Sequence, residues 1–210
     1  MQSTFPDVKI NGLSAKSGQR LEILFMKIYV FRHGETDWNA EHRIQGREDV
    51  PLNENGIKQA HEAGKGAQEK IRPAFFVTSN LSRAVVTGKI IASYVGTEKM
   101  FTEWGLIECS YGAMSGKVIK DIYEAENACE ETPEEAGRRF FDVLDKYVHT
   151  TNDDFAVVSH GGTINAALYV LTDGKIGTGI TKLKNASVTV LSWENGRYLL
   201  EKCNIEASAL

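Results

Sequence analysis

Apolar positions along this chain fall into short blocks separated by longer stretches with a one-sided, helical spacing. The block Lys27–Arg32 (Lys-Ile-Tyr-Val-Phe-Arg) is β-branched and aromatic, the composition of a short buried strand. Similar blocks at Ala74–Ser79, Met100–Glu103, Phe155–Ser159, Ser187–Trp193 and Arg197–Lys202 read as further strands. The last two are joined through Glu194-Asn195-Gly196, and Asn-Gly between apolar runs is a strong hairpin signal. Helices are predicted over Glu54–Lys70, Ser82–Tyr94, Lys117–Glu126, Pro133–His149 and Thr163–Leu171. The fourth has Thr132 as N-cap, proline at its first position and Glu135 placed to reach back to the cap. Strands alternating with helices predict a three-layer α/β/α sandwich. Its central sheet should be mostly parallel, and the terminal hairpin should give it an antiparallel edge.

Composition narrows the class of protein without naming it. The 210 residues suffice for one sizeable domain. A net charge of -4 argues against a large nucleic-acid footprint, while still permitting a local pocket for an anion. Cys109, Cys129 and Cys203 form no CxxC pair and read as free thiols in a reducing compartment, so a cytoplasmic location is expected. No apolar run approaches the length of a membrane span, so no membrane partner is expected. Residues 1–25 lack a sustained apolar core and are expected to be an N-terminal extension, either not native or flexible. Met26 then opens the domain, 26–210, that carries the chemistry.

Three predicted strand ends carry unusual residues. The first runs into Arg32-His33-Gly34-Glu35-Thr36, and the second places Arg83 in the first turn of the following helix. The late apolar run ends in Ser159-His160-Gly161-Gly162 and opens another helix. In open α/β sheets ligands bind at the carboxyl ends of strands. If these strands are neighbours, Arg32, His33, Arg83 and His160 meet in one pocket, with the Gly161 amide exposed at a helix N-terminus. Such a set suits an oxyanion, and guanidinium forks match phosphate oxygens in bidentate fashion.

The segments "RHGETDWN", "QG…DVPLNENGIKQA", "TSNLSRAVVT", "LIECSYG" and "SHGG", in this order, resemble the histidine phosphatase superfamily, which includes cofactor-dependent phosphoglycerate mutases and many small phosphatases. The resemblance spans essentially Met26 to Leu210. It implies that His33 is a nucleophile forming a phosphohistidine, its other ring nitrogen donating to a carbonyl. It implies that Arg32, Arg83 and His160 hold the phosphoryl oxygens, that Asn39 adds a neutral donor, and that Gln45 and Gly46 form a substrate-facing loop. Glu108 matches the carboxylate that protonates the leaving oxygen. No metal and no cofactor are implied, and the expected partner is a small phosphorylated metabolite, with the oligomeric state left open.

Taken one at a time, these residues have plainer readings. A single arginine at a strand end is commonly a surface ion-pair residue, and His42, His61 and His149 are read as structural or solvated. Trp38, Trp104 and Trp193 are read as packing residues. The resemblance leaves three functions: a phosphomonoester hydrolase, a phosphoglycerate mutase, or a non-catalytic phosphate-binding module. Only Lys117 to Glu131 separates the "LIECSYG" loop from the next helix, which leaves little room for the lid that excludes water in mutases, so hydrolysis is expected. Met114 and Ser115 stand where many family members carry tryptophan and glutamate, so the substrate rim is expected to differ.

Overall fold

A computed structural model describes residues 25–118 and 129–210. The predicted extension, apart from Phe25, lies outside the described residues, as does most of the predicted helix Lys117–Glu126. Its first two residues are described and are not helical: Val118 instead forms an antiparallel bridge with Arg43.

Six strands form one sheet: β1 (Phe25–Arg32), β2 (Phe76–Thr78), β3 (Met100–Thr102), β4 (Phe155–Ser159), β5 (Val188–Glu194) and β6 (Arg197–Ile205). Their spatial order is β3-β2-β4-β1-β5-β6. The first four run parallel, while β5 and β6 run antiparallel beside β1, giving the expected antiparallel edge. Among the described residues, five helices accompany the sheet: α1 (Asp37–Ala40), α2 (Glu54–Ala67), α3 (Ser82–Val95), α4 (Pro133–Val148) and α5 (Gly161–Leu171).

Side-chain alternation along β1 explains the layers. Ile28 and Val30 enter a core that holds Phe140, Val143 and Leu144 from α4 and Ile164, Ala167 and Leu168 from α5. Tyr29 and Phe31 point to the opposite core, with Ala63 and Ala67 of α2 and Ala84, Ile91 and Val95 of α3. A strand covered on both faces must be apolar where it is covered, and Ile28–Phe31 of β1 is. Each fully buried Phe, Ile or Val contributes about 1.5–3 kcal/mol relative to exposure, so the sheet centre is fixed firmly.

Local chemistry sets the element ends. Thr132 Oγ1 accepts from the Glu135 N–H (3.2 Å) while Glu135 Oε2 accepts from the Thr132 N–H (2.8 Å), the capping box expected for α4. Asn195 and Gly196, at φ of 49° and 79°, form the two-residue turn between β5 and β6. The short helix α1 is not among the helices predicted from sequence; Thr36 and Asn39 cap it reciprocally.

Candidate active site

The order β2-β4-β1 places the three unusual strand ends side by side. Arg32 pairs in register with Ser159, and Thr78 with Val158, so His33, His160 and Ser79 follow adjacent strand ends. A cavity of about 840 Å³ opens there. Arg32, His33, Asn39, Gln45, Gly46, Arg83, Glu108 and Gly161, all expected site residues, line it. His160 does not; it is fully buried behind His33, with ring centroids 5.1 Å apart.

The glycine in Arg32-His33-Gly34 has a packing reason. A Cβ on Gly34 would sit 2.4 Å from the Gly56 carbonyl oxygen of α2, which excludes any side chain. The Gly34 N–H donates to Thr87 Oγ1 of α3 (3.0 Å), pinning the loop after β1 between two helices. The Gly34 carbonyl lies 2.6 Å from His33 Nδ1, and since a carbonyl only accepts, Nδ1 carries the proton. The lone pair therefore lies on Nε2. His33 is 2% exposed. Burial, reinforced by the Arg83 and Arg32 guanidiniums, holds it well below the usual histidine range, so the ring is neutral at pH 7.

His160 is neutral for the same primary reason, burial, with Arg83 next in effect. Its Nε2 lies 2.7 Å from Ser79 Oγ, while its Nδ1 is buried without a hydrogen-bond partner.

The two arginines are oriented by carbonyls and not by carboxylates. Arg83 donates from Nη1 to Glu48 O (2.7 Å) and from Nη2 to Gly46 O (2.8 Å). Gly46 adopts φ of 53°, which presents its carbonyl to Arg83 and favours glycine. Arg32 donates from Nη1 to Leu183 O. The Nε of each arginine is buried with no partner. Burial lowers the affinity of Arg83 for its proton to a pKa of about 10, so it stays charged at pH 7.

Glu108 is 8% exposed and sits at the N-terminus of α5. Its Oε1 accepts from the Cys109 N–H (2.9 Å), the Thr163 N–H (2.9 Å) and Thr163 Oγ1 (3.2 Å), and its Oε2 from the Gly162 N–H (3.1 Å). Gly162 permits that approach, because a Cβ there would lie 2.7 Å from Glu108 Oε1. Asn39, which lines the cavity, accepts at its Oδ1 from the Thr36 N–H and from Asn185 Nδ2.

Sequence reasoning passed over several contributors. Ser79 holds His160, Asn185 donates to both His33 O (3.2 Å) and Asn39 Oδ1 (3.2 Å), and Lys182 and Lys184 line the cavity with exposed ammonium groups. His42, read from sequence as structural or solvated, also lines it. Arg139 of α4 ties the Glu108 loop down through Gly105 O (2.8 Å) and Ile107 O (2.6 Å). The "SNLSR" run before Arg83 was a usable pointer to Ser79; the others carry no local signal.

A doubly covered, mostly parallel sheet whose strand ends gather two arginines, two neutral histidines and one carboxylate defines an α/β protein with an oxyanion pocket. The sequence model of the histidine phosphatase superfamily (branch 1) matches residues 28–206, and the chain belongs to that superfamily. An uncharacterized phosphatase, PhoE, of Bacillus subtilis is 28% identical over 188 residues, covering 86% of this chain and 95% of that protein. A probable phosphoglycerate mutase, GpmB, of Yersinia pestis is 30% identical over 200 residues, covering 87% of this chain and 92% of that protein. The crystal structure of phosphoglycerate mutase from Bacillus anthracis superimposes with a TM-score of 0.77 at 24% identity, covering 88% of this chain and 95% of that one, a likeness of fold.

Proposed function

We propose that this protein is a phosphomonoester hydrolase that transfers the phosphoryl group of a small metabolite to His33 and then to water. The observation that carries the reading is His33 itself: a neutral ring whose Nδ1 proton is committed to Gly34 O, leaving Nε2 to attack. Arg32 and Arg83 flank it, each with an unpartnered buried Nε to offer a phosphoryl oxygen. Asn39 and the Gly161 amide add neutral donors, Gln45 and Gly46 shape the wall, and His160 packs behind the nucleophile. Glu108, at the cavity wall, protonates the leaving oxygen and later takes a proton from the attacking water. The guanidiniums supply the positive charge that the transition state requires, so the reaction proceeds without a metal.

Hydrolysis is preferred over return of the phosphoryl group to substrate because the cavity is edged by exposed His42, Arg43, Lys182 and Lys184, so water reaches the phosphoenzyme. The curated relatives carry both kinds of name, phosphatase and phosphoglycerate mutase, and support either outcome. Three thiols without disulfides fit a reducing compartment, and we place the protein in the cytoplasm.

Brief mixing with ³²P-labelled substrate should trap an acid-labile phosphoenzyme that His33→Ala lacks, in the presence of EDTA. With 3-phosphoglycerate and catalytic 2,3-bisphosphoglycerate, inorganic phosphate should appear faster than 2-phosphoglycerate. A label that survives in His33→Ala, activity lost to EDTA and restored by a divalent metal, or the reverse product order would overturn the corresponding part.

A further inference from the structure

We propose that Cys109 and Cys129 are a redox pair that a peroxide closes into a disulfide, and that the bond slows catalysis by disturbing the seat of Glu108. The two thiols are hydrogen-bonded to each other, and their sulfurs lie within 4.8 Å of one another and of a Glu131 carboxylate oxygen. Cys109 is buried, whereas Cys129 is only partly covered, so a small oxidant reaches the pair through Cys129. Cys203, on β6, belongs to neither.

The trio of two thiols and a carboxylate has ligand atoms close enough for a cation, but its carboxylate is already engaged. Both Glu131 oxygens are taken by Arg139, from Nε (2.9 Å) and Nη2 (2.9 Å), and Arg47 Nη2 adds a third contact (3.2 Å). Both carboxylate oxygens are thus already occupied by guanidinium N–H groups and are not free to ligate a cation.

Exposure assigns the roles. Cys129, the accessible thiol, meets the oxidant first, while burial pushes the Cys109 thiol up and keeps it protonated until the second step. Cys129 sulfur attacks a peroxide oxygen; the O–O bond breaks, the sulfur becomes a sulfenic acid and one water leaves. Cys109 sulfur then attacks that sulfur; the S–O bond breaks, and the Cys109 proton leaves with hydroxide as a second water. Two thiols and one hydrogen peroxide become one disulfide and two waters.

The consequence follows from what surrounds Cys109. Its N–H holds Glu108 Oε1, and its Sγ lies 3.3 Å from where a Cβ on Gly162 would be. Gly162 N–H holds the other Glu108 oxygen. Drawing the sulfurs to about 2.05 Å moves the Cys109 side chain and shifts the residue that seats the carboxylate. This effect rests on the role given to Glu108 above; formation of the bond does not.

The reduced full-length chain is treated with hydrogen peroxide, then digested without reductant and analysed by mass spectrometry, with rates measured on an alkyl phosphate and on p-nitrophenyl phosphate. The expected result is a peptide pair joined through Cys109 and Cys129, lighter by two hydrogens. The alkyl phosphate rate should fall by about 10-fold or more, since positioned acid catalysis is worth about 10²–10⁴-fold. The p-nitrophenyl phosphate rate should change little, and dithiothreitol should restore both. Cys129→Ser should match the reduced wild type and resist peroxide. No cross-link, or a cross-link that leaves the alkyl phosphate rate unchanged, overturns the proposal, as does equal inactivation of Cys129→Ser. A wrong reading of Glu108 is seen separately, as an alkyl phosphate rate that Glu108→Gln does not lower.

Discussion

The two buried histidines should make this protein acid-sensitive in a measurable window. In the folded state both are held well below the ordinary histidine value of about 6.5, chiefly by burial. Below that value the unfolded chain binds two protons that the folded chain does not, so stability is full above about pH 6.5 and falls as pH is lowered through it. Each histidine then costs about 1.4 kcal/mol per pH unit at the steepest, or about 2 kcal/mol between pH 8 and pH 5. Two together give about 4 kcal/mol, which for a domain of this size lowers Tm by about 8–16 °C. The assay is thermal melting by circular dichroism from pH 8 to pH 5, at fixed ionic strength and in phosphate-free buffer, because a bound anion stabilises the folded state. Carboxylates also titrate toward pH 5, so the decisive quantity is the difference between wild type and His33→Gln or His160→Gln. Each variant should lose about half of the histidine contribution, because a neutral neighbour does not alter the other ring's proton uptake. Parallel Tm curves for wild type and both variants would refute the reasoning. The same burial predicts that kcat/KM keeps its neutral nucleophile at pH 6.

Arg83→Lys cannot keep both carbonyl contacts, to Gly46 and Glu48, while offering a fork to phosphate, so kcat/KM on p-nitrophenyl phosphate should fall by about 10- to 150-fold, equivalent to roughly 1.5–3 kcal/mol. Wild-type kcat/KM in that variant would remove Arg83 from the site. Glu108→Gln should lower Tm by about 2–12 °C, because both Glu108 oxygens accept N–H donors and the new amide NH₂ leaves at least one without an acceptor, at about 1–3 kcal/mol. Its rate should fall further on an alkyl phosphate than on p-nitrophenyl phosphate, whose leaving group needs no proton, and equal losses would indicate positioning without acid catalysis.

What the sequence disclosed was whatever is written locally. The strand blocks, the Asn195-Gly196 turn and the Thr132–Glu135 cap all depend on residues a few positions apart, and each was readable. That Arg32, His33 and His160 come together at one end of the sheet was readable too, from their places directly after apolar strands. Contacts between distant residues were not. Ser79 reaches His160 across 81 positions, and Asn185 reaches Asn39 across 146, with nothing in either local sequence to announce the partner. Helix α1, four residues long, is too short for periodicity to show, and its capping residues instead suggest a turn. His160 was expected on the pocket surface; burial behind His33, which strand order alone does not fix, puts it one layer deeper.

The way the arginines are held bears directly on the proposed chemistry. A guanidinium oriented by a carboxylate is a neutralised pair and offers a dianion little. Here Arg32 is oriented by Leu183 O, and Arg83 by Gly46 O and Glu48 O, so geometry is fixed without a carboxylate bonded to either guanidinium, and Glu108 acts on both only at a distance. Among the described residues that line the cavity, Glu108 is the only carboxylate, against Arg32, Arg43, Arg83, Lys182 and Lys184. Burial makes that imbalance costly in the empty protein, as the lowered pKa of Arg83 records. A phosphate dianion relieves the cost on arrival, and the charge that develops as phosphorus moves toward His33 Nε2 relieves it further. The lysines stand farther out and exposed, where they draw an anion in without holding it tightly, which suits an enzyme that must release inorganic phosphate after each turnover.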